Sequence, residues 1–170
     1  MANNRTRKSR GRGDEARDEF DQEIIDLARV TRVMAGGKRM RFRACVVIGD
    51  RKGRVGMGLA KGADVSLAIS KATRDAKKNL IKVEITPVGS IPHAVKFKFN
   101  TAKILLKPAP VGTGVIAGSV LRQILNLAGF RDVVAKSLGS SSKINNAKAA
   151  LSALGSLRPT KEFKKSNPSH

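Results

Sequence analysis

The 170-residue chain is poor in the side chains from which catalytic sites are built. It has one cysteine, Cys45, and two histidines, His93 and His170. Cys45 lies in the apolar run Cys45-Val46-Val47-Ile48 and reads as a small buried hydrophobe in a strand. A disulfide framework or a cysteine-based zinc site within the chain is excluded. His93 stands in a loop between Pro92 and Ala94, and His170 is terminal, so a nucleophile–base pair lacks its members. The acidic residues fall mostly in the first 30 positions and form no pair in a plausible cleft. No catalytic site, metal or cofactor is expected.

One motif imitates an enzyme. Gly112-Thr113-Gly114-Val115-Ile116-Ala117 fits the G-x-G-x-x-A form of the dinucleotide fingerprint. That fingerprint needs its glycines directly after a strand and an acid at the end of the next strand. Here Pro108-Ala109-Pro110 intervenes, and Asp132 falls at the start of the following strand. What remains is general: N–H groups at a helix N-terminus can hold a phosphate or an acidic partner residue.

The chemistry that the sequence does supply is cationic. Lys and Arg number 34 against 13 Asp and Glu, a net charge of +21. Such a surface repels itself unless a polyanion offsets the repulsion, and nucleic acid does so by releasing condensed counterions. The charges are clustered. Arg32, Lys38, Arg39, Arg41 and Arg43 crowd one end of a hairpin, and Arg51, Lys52 and Arg54 crowd the next turn. Lys71, Arg74, Lys77 and Lys78 share a helix. Guarding an edge strand needs only one or two charges, so phosphate contact is the better reading of the hairpin. Trp and Tyr are absent, which argues against base stacking as the main mode. Lys96-Phe97-Lys98-Phe99 is similar to an RNA-recognition-motif strand but lacks the glycines, and Phe97 and Phe99 read as core. The helix patch and the basic turns suit duplex RNA, which is read through shape and backbone.

The elements that must carry these residues form two units. A strand over 24–34 turns at Ala35-Gly36-Gly37-Lys38, and a return strand over 40–49 alternates Phe42, Ala44, Val46 and Ile48 on one side. Asp50-Arg51-Lys52-Gly53 turns into a third strand over 54–59. A helix runs from Asp64, its N-cap, to Leu80, with Val65, Ala68, Ile69, Ala72, Ala76 and Leu80 at helical spacing. After the Gly/Pro-rich stretch 87–92 come strands at 94–99 and 103–107. A helix follows, opened by Gly112-Thr113-Gly114, running through Leu127 and capped by Gly129. A strand over 132–136, a Gly/Ser loop over 139–142 and a helix over 145–154 complete the chain. The expected class is α+β, divided into a basic arm (1–18), a unit of three antiparallel strands plus helix (19–86), a βαβα unit (87–157) and a basic tail (158–170). The arm lacks a signal-peptide core and no apolar run nears the ~20 residues of a bilayer span, so a soluble, cytoplasmic protein with no membrane partner is expected.

The order of these motifs resembles the small-subunit ribosomal protein five family. The likeness runs through Arg29-Val30-Thr31-Arg32-Val33, Gly36-Gly37-Lys38-Arg39, Phe42-Arg43-Ala44, Val47-Ile48-Gly49-Asp50 and Gly53-Arg54-Val55-Gly56-Met57-Gly58 with Lys61. It continues through Leu106-Lys107-Pro108-Ala109-Pro110, Gly112 to Gly118, Lys136-Ser137-Leu138-Gly139-Ser140-Ser141 and Ile144-Asn145. The resemblance implies a double-stranded-RNA-binding-like first domain and a βαβα second domain. It implies assembly on 16S rRNA in the small subunit, beside proteins four and eight and near mRNA where it enters. The RNA-binding set then comprises Arg29, Arg32, Gly36, Gly37, Lys38, Arg39, Arg41, Arg43, Arg51, Lys52, Arg54, Lys61, Lys71, Arg74 and Lys78. The family's contact with protein four, which influences decoding accuracy, maps to Gly112, Gly114 and Arg122. Two positions depart from the family pattern: Ala35 stands where a Lys is usual, and Lys143 where a Pro is usual. The alternatives are a free-standing double-stranded-RNA-binding protein, separated by sedimentation, and a small-molecule kinase, which would bind ATP saturably at Gly112–Gly118.

Overall fold

Alternating apolar residues and two tight turns fold residues 21–62 into a meander. The computed structural model describes residues 20–158. The expected N-terminal arm, and the C-terminal tail from Pro159 onward, lie outside them. Strands β1 (Asp21–Met34), β2 (Gly37–Gly49) and β3 (Arg54–Gly62) pair antiparallel in sequence order. Helix α1 (Val65–Lys78) crosses back over them, and a short β4 (Leu80–Lys82) pairs with β3. This fourth strand forms because the chain leaving α1 returns along the free edge of β3.

The approach of α1 is set by small residues on both sides. Ala68, Ala72 and Ala76 are fully buried on one helix face. They meet Gly62, Gly58 and Gly56 of β3, where a methyl group would strike helix backbone. Ala44, Val46 and Ile48 of β2 complete this core.

The second unit contains β5 (Val95–Phe99), β6 (Ala102–Pro108), β7 (Val115–Ile116), α2 (Ser119–Ala128), β8 (Val133–Ser137) and α3 (Lys143–Gly155). Its sheet has the order β5-β6-β8-β7, with β7 parallel to β8 and the other pairs antiparallel. The helix expected from Gly112 begins only at Ser119. Gly112 and Gly114 take positive φ, 88° and 75°, and Val115–Ile116 are drawn into pairing with β8. Gly129 caps α2 at φ 96°, as its position after the apolar stripe predicts.

The second face of the first sheet is not solvated. Ile25, Cys45, Val47, Val55 and Met57 join one core with Leu121, Ile124 and Leu125 of α2 and Ala147, Ala150 and Leu154 of α3. The inner face of the second sheet (Ile104, Leu106, Val133, Ala135) belongs to the same core, with Phe97 and Phe99 packed against it. The layers therefore run α1, first sheet, α2 with α3, second sheet. The two units share their largest core.

Candidate nucleic-acid interface

The hairpin β1–β2 outgrows the body of the protein, and every residue from Thr31 to Arg41 is exposed. Its turn is Ala35-Gly36, flanked by the pair Met34 and Gly37, and of the two glycines only Gly37 has positive φ, 138°. Cross-strand partners share a face, so the register sorts the side chains. One face carries Arg32 opposite Arg39, Val30 opposite Arg41, and Ala28 opposite Arg43, which in turn faces Lys61 of β3. The other carries Val33 opposite Lys38, Thr31 opposite Met40 and Arg29 opposite Phe42. The ribbon thus has an arginine-rich side and a side where apolar residues sit between Lys38 and Arg29. A groove of about 300 Å³ on the ribbon is lined by Val30, Arg32, Met34, Arg39, Arg41 and Lys61.

Arg43 is set apart from this row. Its Nη2 donates to Asp26 Oδ2 at 3.1 Å, and Lys143 Nζ lies 3.5 Å from the other oxygen of the same carboxylate. Asp26 therefore ties the base of the ribbon to the start of α3. Lys143 supplies a cation to this link. Sequence reading missed Asp26 because Arg43 lies 17 positions away and is brought beside it by the strand register, and Lys143 is brought there only by the packing of α3.

The second basic turn is the most constrained. Asp50 Oδ1 accepts from the N–H groups of Lys52 and Arg54 at 2.8 and 2.9 Å, and its Oδ2 from Arg54 Nε at 2.6 Å. Partial burial works against ionisation of Asp50, but the Arg54 side chain and these N–H donors outweigh it and hold the carboxyl below its ordinary value. Arg54 also lies 5.0 Å over the Phe20 ring, and Arg51 pairs with Asp21 at 2.8 Å. The turn backbone is bonded to the end of α2, Arg51 N–H to the Leu127 carbonyl and Gly53 N–H to that of Ala128, both at 2.9 Å. Cations here oppose the negative end of the α2 dipole. The turn is a docking joint whose outer surface still presents Lys52.

Lys71, Arg74 and Lys78 are exposed on the outer side of α1. Thus the expected RNA-binding residues do not converge on one spot. Arg32, Arg39, Arg41 and Lys61 come together; Lys52 stands roughly 40 Å from Lys38 by strand rise, and the α1 cations lie on the opposite side of the first sheet from the arginine-rich ribbon face.

The loop before α2 is closed on itself. The Gly114 N–H donates to Asp132 Oδ1 at 2.8 Å, and Asp132 is 5% exposed. The Asp132 carbonyl accepts from Ser90 Oγ at 2.6 Å, which also accepts the Ala109 N–H. The glycine motif therefore spends a donor on its own acid, the reverse of what a bound phosphate requires. Arg122 is exposed on α2, and Gly112 has open space around it.

Together these features define a basic scaffold with a cationic β-ribbon, of the class that binds polyanions. Comparison with known proteins gives the family. The model for "Ribosomal protein S5, N-terminal domain" matches residues 20–84, and that for "Ribosomal protein S5, C-terminal domain" matches 97–167. A "Small ribosomal subunit protein uS5" of Gloeobacter violaceus is 48% identical over 87% of this chain and 66% of its own length, just under two thirds of that relative. Another from Thermosynechococcus vestitus is 46% identical over 95% of this chain and 91% of its own. A "Small ribosomal subunit protein uS5c" of Emiliania huxleyi is 46% identical over 84% and 89%. The chain belongs to the ribosomal protein S5 family, whose members are structural proteins and not enzymes.

Proposed function

We propose that the chain is a structural constituent of the small ribosomal subunit that holds folded 16S rRNA against its ribbon, basic turn and α1 face, supporting assembly and translational accuracy. One observation carries the assignment of the ribbon: Arg32 and Arg39 stand directly opposite each other, with Arg41 and Lys61 beside them, on a segment with no apolar core of its own. Like charges in register destabilise a free ribbon by a few tenths of a kcal/mol or more, and phosphates between them reverse the sign. Lys38→Ala with Arg39→Ala should weaken 16S rRNA binding and make log K less steep in log salt by roughly 0.7–0.9 for each phosphate no longer neutralised. An unchanged slope rejects these two residues as contacts.

Proteins four and eight and mRNA are the proposed neighbours within the subunit. The loop at Gly112 and Gly114, followed by Arg122, is the proposed face for protein four. Val111 and Ile116 beside it are 77% and 52% exposed, an apolar rim that suits a protein partner. Gly114→Ala strains a backbone held at φ 75°. It should reduce capture of purified protein four while leaving 16S rRNA affinity as it was; equal capture would remove the assignment.

A further inference from the structure

Among the described residues the second sheet is the outermost layer, and only its inner face is used in packing. Val95, Leu106 and Ala135 form one cross-strand row, and Phe97 with Ile104 the next, all turned toward α2 and α3. The residues between them therefore point outward. These are Lys96, Leu105 and Lys136 in one row, Lys98 and Lys103 in a second, and Lys107 with Val134 in a third. All five lysines are exposed, and none has an ion-pair partner among the described residues. Within the second unit, the only acidic residue among positions 87–158 is Asp132, which is buried on the Gly114 N–H.

A solvated antiparallel face needs polar residues, but mixed signs serve it best, and like charges directly opposite are destabilising. Lys98 faces Lys103 across the strands. A uniform lysine field is relieved by a polyanion laid over it. Among the described residues the face has no aromatic side chain, which argues against stacking with bases as its mode. Lysine, unlike arginine, offers a rotatable point charge without a rigid fork, which suits a backbone and not a base edge. Half-buried Leu105 and Val134 at its centre leave a shallow apolar floor for riboses.

We propose that the outer face of the second sheet (Lys96, Lys98, Lys103, Lys107 and Lys136) is a second RNA-binding surface, separate from the ribbon, that takes a phosphodiester backbone without reading bases. This rests on the reading of the chain as an rRNA-bound constituent of the subunit. The test uses the full chain with Lys98→Cys or Lys136→Cys, each carrying an iron chelate on the introduced thiol. Cys45 is fully buried and its thiol is pushed up to about 11 by burial and then by Asp26, so it stays unlabelled. After reconstitution into small subunits, hydroxyl radicals should cut 16S rRNA near both positions. Cuts appearing only in added mRNA would assign the same backbone chemistry to the message. Subunits that incorporate the labelled chain yet show no RNA cleavage overturn the proposal, whether a protein or only water covers the face. Failure of the unmodified chain to enter subunits is a different result and sinks the underlying reading. In free 16S rRNA binding, replacing all five lysines by Gln should flatten the salt slope by roughly 0.7–0.9 for each phosphate that the variant leaves unneutralised, and an unaltered slope counts against the proposal.

Discussion

Cys45 shows how far one residue's surroundings decide its chemistry. It is fully buried in the middle of β2, and burial, followed by the Asp26 charge, raises its thiol to about 11. A folded-state pKa above the unfolded one adds stability that is complete below the unfolded value and disappears as pH rises through the folded one. The stability of the native chain relative to Cys45→Ala should therefore fall between about pH 9 and pH 11. Denaturant midpoints measured on both proteins across that window check this, and parallel curves would refute it. Gly58 is the counterpart in backbone terms. A methyl group there would strike the Ala72 carbonyl, so Gly58→Ala should cost about 1–3 kcal/mol, the usual range for overpacking. The helix cannot retreat without opening the Ala68, Ala72 and Ala76 contacts.

At the scale of elements, the turn between β2 and β3 separates what a charge pattern says from what it does. Its three cations read alike in sequence, but Asp50 and the end of α2 hold two of them in place. Asp50→Ala leaves the N–H groups of Lys52 and Arg54 without their acceptor and loosens the joint with Leu127 and Ala128. A loss of about 0.5–1.5 kcal/mol is expected, since these hydrogen bonds are exposed and water can take the freed N–H groups, read as a lower midpoint of thermal unfolding. Against its partial burial, hydrogen bonding still lowers the Asp50 pKa, so its contribution persists above the ordinary carboxyl value and is lost as pH falls through the lowered one. The element types were legible wherever periodicity was strong: β2 by its alternation, α1 by its stripe of Val65, Ala68, Ala72 and Ala76, and the Gly129 cap by its place after an apolar run. The start of α2 was not, because Gly112 and Gly114 mark positive φ without saying whether a helix or a strand follows. The clustering of ribbon arginines was visible in the sequence; their separation from Lys38 and Arg29 onto another face depended on the register.

At the scale of the whole molecule, a composition break at 87–92 is visible in the sequence, but the core does not respect it. The first sheet is covered by α1 on one side and by α2 and α3 on the other, so Ile25, Cys45, Val47, Val55, Met57 and Val83 are buried only in the presence of both units. Nothing in a linear pattern distinguishes a strand buried on both faces by one unit from a strand buried by two, since both give continuous apolar runs such as Ala44 to Ile48. The consequence is mechanical. A fragment ending at residue 86 would carry an apolar sheet face open to water, and the joint at Arg51 and Gly53 would be without its acceptors on α2. Such a patch drives association or loss of fixed packing. The fragment should bind a hydrophobic dye, or self-associate, and unfold with weak cooperativity, whereas the full chain should melt as one unit. A monomeric, cooperatively folding fragment would mean that the shared core is dispensable for the first unit, and that the ribbon and the lysine face belong to separately folding parts instead of one rigid body.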